Sequence, residues 1–121
     1  MTYLGDSIIG RNVSFGGGCM TGNLRLDEQE ISSATSTAKP IGTGRTKLGL
    51  IVGDHCRFGI QVGTNPGVKV GAGCFISGGA YLMEDVPQQS YVSVKSGTTH
   101  VRPNSAAAPD MHTREGYRKN V

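Results

Sequence analysis

The chain has no long hydrophobic run and little excess charge, and each absence argues against one class of partner. No apolar stretch approaches the ~20 residues needed to span a bilayer, and no basic-then-apolar leader precedes the first repeat, so the sequence predicts a soluble, cytoplasmic protein. The formal net charge is only +3, without the dense basic stripe typical of nucleic-acid-binding faces. We therefore expect neither a membrane nor a nucleic acid as a partner. A length of 121 residues allows one domain.

Glycine is abundant, at 19 of 121 residues, and it accompanies a strict repeat of six. No collagen-like triplet is present, so these glycines belong to turns. From Val52 to Pro87, every sixth residue is mostly bulky, and the residue four places later is small. A helix repeats apolar residues near 3.6 and a flat strand near 2, so period six predicts a solenoid. The bulky row is Val52, Phe58, Thr64, Val70, Ile76 and Leu82, and the small row is Cys56, Val62, Val68, Cys74, Ala80 and Val86.

Cysteine is scarce, and its three positions follow the repeat. Cys19, Cys56 and Cys74 all fall on the small row, which predicts buried thiols in the core rather than metal ligands or a disulfide. If three hexads make one turn of 18 residues, Cys56 and Cys74 lie one above the other on the same wall. A reducing cytoplasm would keep both as thiols.

The repeat also organises the rest of the chain. In residues 1–20, Tyr3, Ile9 and Phe15 keep the period as a bulky row, but they are out of frame with Val52 and its successors, so an insertion must interrupt the solenoid. We place this insertion at about residues 21–46 and the β-helix domain at residues 1–95. Residues 96–121 form a polar, basic tail, which is either partly disordered or an arm that packs on a neighbouring subunit through Arg114, Arg118 and Lys119.

Several segments together carry a family resemblance over residues 3–86. They are Y-L-G-D-S-I-I-G-R-N-V-S-F-G-G-G, T-G-N-L-R-L-D, T-G-R-T-K-L-G-L-I-V-G-D and P-G-V-K-V-G-A-G. These segments resemble the carboxy-terminal domain of archaeal-type sugar-phosphate nucleotidyltransferases and, more distantly, the acetyltransferase half of bifunctional N-acetylglucosamine-1-phosphate uridyltransferase. The fold class is therefore predicted as all-β, a left-handed parallel β-helix of hexapeptide repeats with an inserted loop and a C-terminal tail. Nothing in the chain matches the glycine-rich motif of the nucleotidyltransferase half.

The resemblance implies acetyl transfer from acetyl-CoA to an amino-sugar phosphate. It implies that Tyr3, Asn23 and Arg25 bind the substrate and that Ser77 and Gly78 bind acetyl-CoA. In the family, a histidine three residues before the tyrosine takes the proton. That position falls ahead of Met1, so we assign no catalytic residue.

Other positions depart from the family pattern. Gln29 and Ser32 stand where family members carry lysines, and Ser14 stands where an asparagine is usual. Because glutamine cannot replace the charge that a phosphate needs, we consider three loop cations as substitutes. They are Lys39, Arg45 and Lys47.

The three histidines offer alternatives for the base or for a metal. His55 is at an outward position of its hexad and is most simply a solvent-facing turn residue, whereas His100 and His112 lie in the tail. The γ-type carbonic anhydrases bind zinc through histidines of neighbouring coils, but these three share neither that spacing nor a repeat phase, so no metal is predicted.

Three hypotheses therefore stay open. The chain is an acetyl-CoA-dependent acetyltransferase, a non-catalytic β-helix that binds a sugar phosphate or an acyl donor, or a trimerisation scaffold that lacks its nucleotidyltransferase domain. Under all three we expect a homotrimer, because a short prism leaves open strand edges and a small core.

Overall fold

A computed structural model describes residues 1–34 and 39–112, so the tail cations Arg114, Arg118 and Lys119 lie outside the described residues. The fold is a left-handed parallel β-helix. Its strands are β1 (Ile8–Ile9), β2 (Ser14–Phe15), β3 (Met20–Thr21), β4 (Ser32–Ser33), β5 (Ile41–Gly42), β6 (Ile51–Val52), β7 (Arg57–Phe58), β8 (Gly63–Thr64), β9 (Lys69–Val70), β10 (Phe75–Ile76), β11 (Tyr81–Leu82), β12 (Ser90–Lys95) and β13 (Thr98–Pro103). No helix of the described residues is long and apolar enough to cross a membrane.

Parallel strands stack into the three walls of a prism. Wall 1 contains β1, β6 and β9, wall 2 contains β2, β7, β10 and β12, and wall 3 contains β3, β8 and β11. Val52 pairs with Val70 and Phe58 pairs with Ile76, so one turn takes 18 residues as predicted. The backbone N–H of Cys74 donates to Sγ of Cys56 at 3.4 Å, which confirms that the two cysteines stack on one wall.

The two predicted rows form the core of the prism. All twelve of their residues are buried, with at most 5% of the surface of any one exposed. Phe58 stacks on Phe15 of the first coil, with ring centroids 4.5 Å apart. Cys19, Cys56 and Cys74 are free and buried, as the small row predicted. The hydrogen bond with Cys74, together with burial, raises the pKa of the Cys56 thiol.

The first coil departs from the predicted frame at Tyr3. Ile9 and Phe15 take the inward places opposite Val52 and Phe58, but Tyr3 pairs with Met20. Because side chains alternate along a strand and Thr21 is the buried neighbour, Tyr3 points outward with Met20. The prediction that Tyr3 belongs to the inward row was therefore wrong by one residue.

The insertion leaves wall 3 after Thr21 and rejoins wall 1 before Leu50. It is an antiparallel excursion, in which β4 pairs with β5 and Leu24 bridges to Lys47, rather than an irregular loop throughout. Ile31 is 2% exposed and lies against Gly67. Lys69 Nζ donates to Ser33 Oγ at 2.8 Å and forms an ion pair with Asp85 at 2.7 Å, which ties the excursion to wall 1.

The beginning of the tail is ordered along the prism. Strand β13 pairs antiparallel with β12, so regular structure extends past Ser96. Residues 104–109, which we call the strap, then run along the corner between walls 1 and 2. Asn104 bonds to the carbonyls of Gln89 and Gly73, and the Pro109 carbonyl accepts hydrogen bonds from the first two coils.

Candidate functional site

A cavity of about 420 Å³ opens where the insertion leaves the prism, at the corner between walls 3 and 1. Its lining combines apolar side chains with one carboxylate and one guanidinium. The lining residues are Leu4, Asp6, Ser7, Ile8, Arg45 and Leu48. The first coil supplies the first four and the insertion supplies the last two, so both segments form the cavity.

The backbone fixes the acidic side of this cavity. Asp6 occupies a left-handed turn at φ 50°, and its carbonyl accepts a hydrogen bond from Gly49 N–H at 2.8 Å. The Asp6 carboxylate accepts a hydrogen bond from Asn23 Nδ2 at 2.6 Å. Asn23 is held in turn by its own carbonyl, which accepts from Leu48 N–H.

Arg45 supplies the basic side of the cavity. Its backbone N–H donates to Thr43 Oγ1, and its Nε donates to the Lys47 carbonyl at 3.0 Å. These bonds fix the direction of an exposed guanidinium. Of the three loop cations considered from the sequence, Arg45 is the one that lines the cavity.

The structure brings two of the three predicted substrate residues to this corner. Asn23 contacts Asp6 directly, and the Tyr3 hydroxyl lies over Gly5, next to Asp6 in the chain. Arg25 instead binds within its own loop, where it pairs with both Asp27 oxygens, at 2.9 and 2.6 Å, and donates to the Glu30 carbonyl. This pairing holds the pKa of Asp27 below its usual range, and it leaves Arg25 less suited than Arg45 to bind an anion.

Ser77 and Gly78 lie at a different corner, between walls 2 and 3 of the third coil. Ser77 N–H donates to the Val92 carbonyl, and Gly78 packs against Gly59 and Ile60 below it. A cavity of about 550 Å³ begins at the next residue, Gly79, and continues between wall 3 and the β12–β13 hairpin. Its lining is mainly apolar and includes Tyr81, Leu82, Met83, Val94 and Val101.

The histidines do not line either cavity. His55 is an exposed turn residue, as predicted, and its Nδ1 lies 2.9 Å from Asn12 Nδ2. Because an amide nitrogen only donates, this contact is a hydrogen bond in the form of the imidazole whose Nδ1 accepts. His100 lies on β13 opposite Ser93, and His112 ends the described tail.

Sequence reasoning left Asp6 and the role of Arg45 unassigned. Asp6 was visible in the Y-x-G-D motif, whereas Arg45 lies in an insertion without a repeat, so no spacing could separate it from Lys39 and Lys47. Within residues 1–34 and 39–112, no cluster of three or more histidine, cysteine or carboxylate side chains is placed to hold a metal ion.

The sequence is similar to those of long bifunctional enzymes. It is 43% identical over 94 residues to a bifunctional sugar-1-phosphate nucleotidylyltransferase/acetyltransferase of Sulfurisphaera tokodaii. It is 41% identical over 95 residues to the bifunctional protein GlmU of Methanococcus maripaludis and 40% identical over 92 residues to that of Methanocaldococcus jannaschii. Each match covers 76–78% of this chain but only 22–23% of the relative, so the chain spans about a quarter of their length. No family model matches.

The fold has a solved counterpart. The crystal structure of the polySia-specific acetyltransferase NeuO superposes with a TM-score of 0.54, over 95% of this chain and 64% of that one. The identity is 19%, so this likeness concerns the fold alone.

Proposed function

Because the chain is related to the carboxy-terminal left-handed β-helix domain of archaeal-type sugar-phosphate nucleotidyltransferases, we propose that it transfers an acetyl group from acetyl-CoA to an amino-sugar phosphate. The observation that carries this proposal is the pair of opposite charges in the 420 Å³ cavity. An amino-sugar phosphate carries an ammonium and a phosphate. The Asp6 carboxylate suits the ammonium, and the Arg45 guanidinium suits the phosphate, since planar guanidinium forks bind phosphate oxygens in pairs.

The acyl donor would use the larger cavity. A volume of about 550 Å³ lies in the range of small-molecule sites, and its mainly apolar lining suits the uncharged arm of a thioester. Ser77 and Gly78 lie beside its first residue, Gly79, which supports their assignment to acetyl-CoA. In the reaction, the amine nitrogen bonds to the acetyl carbon as the C–S bond breaks. Of the two protons that the ammonium gives up, one ends on the thiol and one in solvent.

The two cavities lie at different corners of one chain, so we place the reaction between chains of a homotrimer. Wall 3 supports such packing, because its outward side chains Tyr3, Met20 and Tyr81 remain about half exposed, at 51, 52 and 53%. We expect light scattering to give about three times the 12.7 kDa chain mass at micromolar concentration. The mass of a single chain would contradict this assembly.

Binding of the acceptor tests the proposal directly. Arg45→Gln should weaken the affinity for glucosamine-1-phosphate about 10- to 100-fold, because a hydrogen bond to a charged group contributes roughly 1.5 to 3 kcal/mol. Isothermal titration measures the change, and thiol release from acetyl-CoA measures turnover. Glucosamine without phosphate should bind wild type and variant equally.

Arg11→Gln is the matched control for that experiment. Arg11 belongs to the first coil, its side chain is 88% exposed, and it pairs with Asp54 away from the cavity, so its loss should leave the affinity unchanged. If both variants weakened the affinity equally, the cause would be the loss of overall positive charge. Arg45 would then not be a residue of the binding site. Phosphate-dependent binding without thiol release would favour the binding-module hypothesis over the enzyme.

A further inference from the structure

The strap joins the last coil of the prism to the first. Asn104 N–H donates to the Gln89 carbonyl at 2.6 Å, and Asn104 Nδ2 donates to the Gly73 carbonyl at 2.9 Å. Five residues later, the Pro109 carbonyl accepts from Asn12 Nδ2 at 2.8 Å and from Arg57 Nη2 at 3.0 Å. Because neighbouring coils are about 4.8 Å apart, this extended segment is long enough to cross them.

The amide of Asn12 has a defined orientation. Arg57 Nη2 donates to Asn12 Oδ1 at 3.0 Å, and the Pro109 carbonyl accepts from Asn12 Nδ2. Exchanging the amide oxygen and nitrogen would set donor against donor and acceptor against acceptor at these two contacts. Asn12 is only 8% exposed, so such mismatches would be costly.

This orientation determines which form of the His55 imidazole can accept a hydrogen bond from Asn12. Asn12 Nδ2 also lies 2.9 Å from His55 Nδ1, so its second hydrogen points at that nitrogen. The contact is a hydrogen bond only while Nδ1 carries a lone pair, which requires a neutral imidazole. Protonation would place an N–H of His55 against an N–H of Asn12, beside the Arg57 guanidinium.

We propose that His55 is a pH-sensitive latch for the strap, closed when its imidazole is neutral and opened by protonation. Histidine is the side chain that changes charge between about pH 5 and 8. The opened latch loses the hydrogen bond that orients the Asn12 amide toward Pro109, so the strap detaches from the first coil more often. The strap remains anchored at Asn104.

Charged groups of both signs lie around the latch. Arg57 bonds to Asn12, Arg11 pairs with Asp54, which precedes His55, and Asp110 follows Pro109 on the strap. A hydrogen bond from the Arg11 backbone holds the pKa of Asp54 below its usual range, so Asp54 stays charged between pH 5 and pH 8. The next coil contributes Ala72 and Gly73, which carry no charge.

Amide hydrogen exchange of the full chain tests the latch. After correction by an unfolded reference peptide, protection of the Asn12 side-chain amide, whose Nδ2 hydrogens point at His55 and Pro109, should fall about 2- to 10-fold from pH 8 to pH 5, the loss expected for one neutral hydrogen bond. His55→Gln should make protection independent of pH, because its amide oxygen can accept from Asn12 without titrating. Glutamine already occupies left-handed turns at Gln61 and Gln89, so the backbone should tolerate it.

His100→Gln is the matched control, since His100 is exposed on β13 and touches neither Asn12 nor the strap in the described contacts. This variant should keep the wild-type pH dependence. Nitrogen NMR should also show the Nε2–H tautomer of His55 at pH 8. Protection that changes with pH equally in wild type and His55→Gln would overturn the proposal, and so would an Nδ1–H tautomer.

Discussion

Replacing Phe58 by alanine should lower the free energy of unfolding by about 3 to 5 kcal/mol. Phe58 is 5% exposed, points into the prism and stacks on Phe15 one coil below, with Ile76 one coil above. The hydrogen-bonded walls hold neighbouring coils at a fixed spacing, so the structure cannot collapse around the missing ring. The loss therefore includes both the apolar transfer energy and the cavity that remains.

Phe75→Ala is the matched control for this prediction. Phe75 immediately precedes the inward residue Ile76, and it faces outward, half-buried, with its ring centroid 6.4 Å from that of Tyr91. The same deletion there should cost only about 1 kcal/mol, since it leaves no enclosed cavity. Guanidinium unfolding at one fixed chain concentration gives both values, because an oligomer's stability depends on concentration. If both variants lost the same free energy of unfolding, packing inside the prism would not be the main source of stability.

The core was predictable because each coil repeats the same pattern of inward positions. One inward place admits a bulky side chain and the next admits a small one, so two rows of period six reveal both the 18-residue turn and the stacking of Cys56 on Cys74. The prediction weakened where the repetition ends. Tyr3 lies at the edge of the first coil, where its contact with Met20 is an isolated bridge rather than part of a strand, and it pairs one residue out of phase.

Segments without a repeat could be located from the sequence, but their structure could not be predicted from it. The insertion was recognised by the change of frame, yet its β4–β5 pairing depends on contacts such as Lys69 with Ser33, far apart in the chain. The strap depends likewise on Asn12 and Arg57, 97 and 52 residues from Pro109. Hydrogen bonds of that range leave no periodic signal.

The sequence placed only some of the candidate-site residues, because long-range contacts leave no signal in it. Asn23 and Tyr3 were identified from motifs that lie in or beside the first coil, and both reach the corner of the 420 Å³ cavity. Arg25 matched its motif equally well, but Asp27, two residues later, binds its guanidinium. A motif gives the residue type and position, whereas the partner of a charged side chain is decided by the folded loop.

Gly59→Ala should destabilise the protein by about 3 kcal/mol, as expected for overpacking against atoms that cannot move. A methyl group at Gly59 would lie 2.5 Å from the backbone nitrogen of Gly78 and 2.8 Å from its Cα. These atoms belong to the next coil, whose position is fixed by Gly59 N–H donating to the Ile76 carbonyl at 2.8 Å. Relief of the clash therefore requires separating two coils, which weakens the hydrogen bonds along wall 2.

Gly17→Ala is the matched control, because Gly17 also lies at a corner between walls 2 and 3 and we expect no loss of stability there. Apart from Gly17 and its two chain neighbours, no atom of the described residues lies within 4 Å of a methyl group built there, so alanine should be neutral or should stabilise the fold by about 0.4 to 1 kcal/mol through a less flexible unfolded chain. Thermal and guanidinium unfolding of the two variants, at matched concentration, separate steric contact from backbone flexibility. If the glycines serve only to let the chain turn, both substitutions should destabilise alike. A large loss at Gly59 with none at Gly17 would show that close approach between coils selects glycine there.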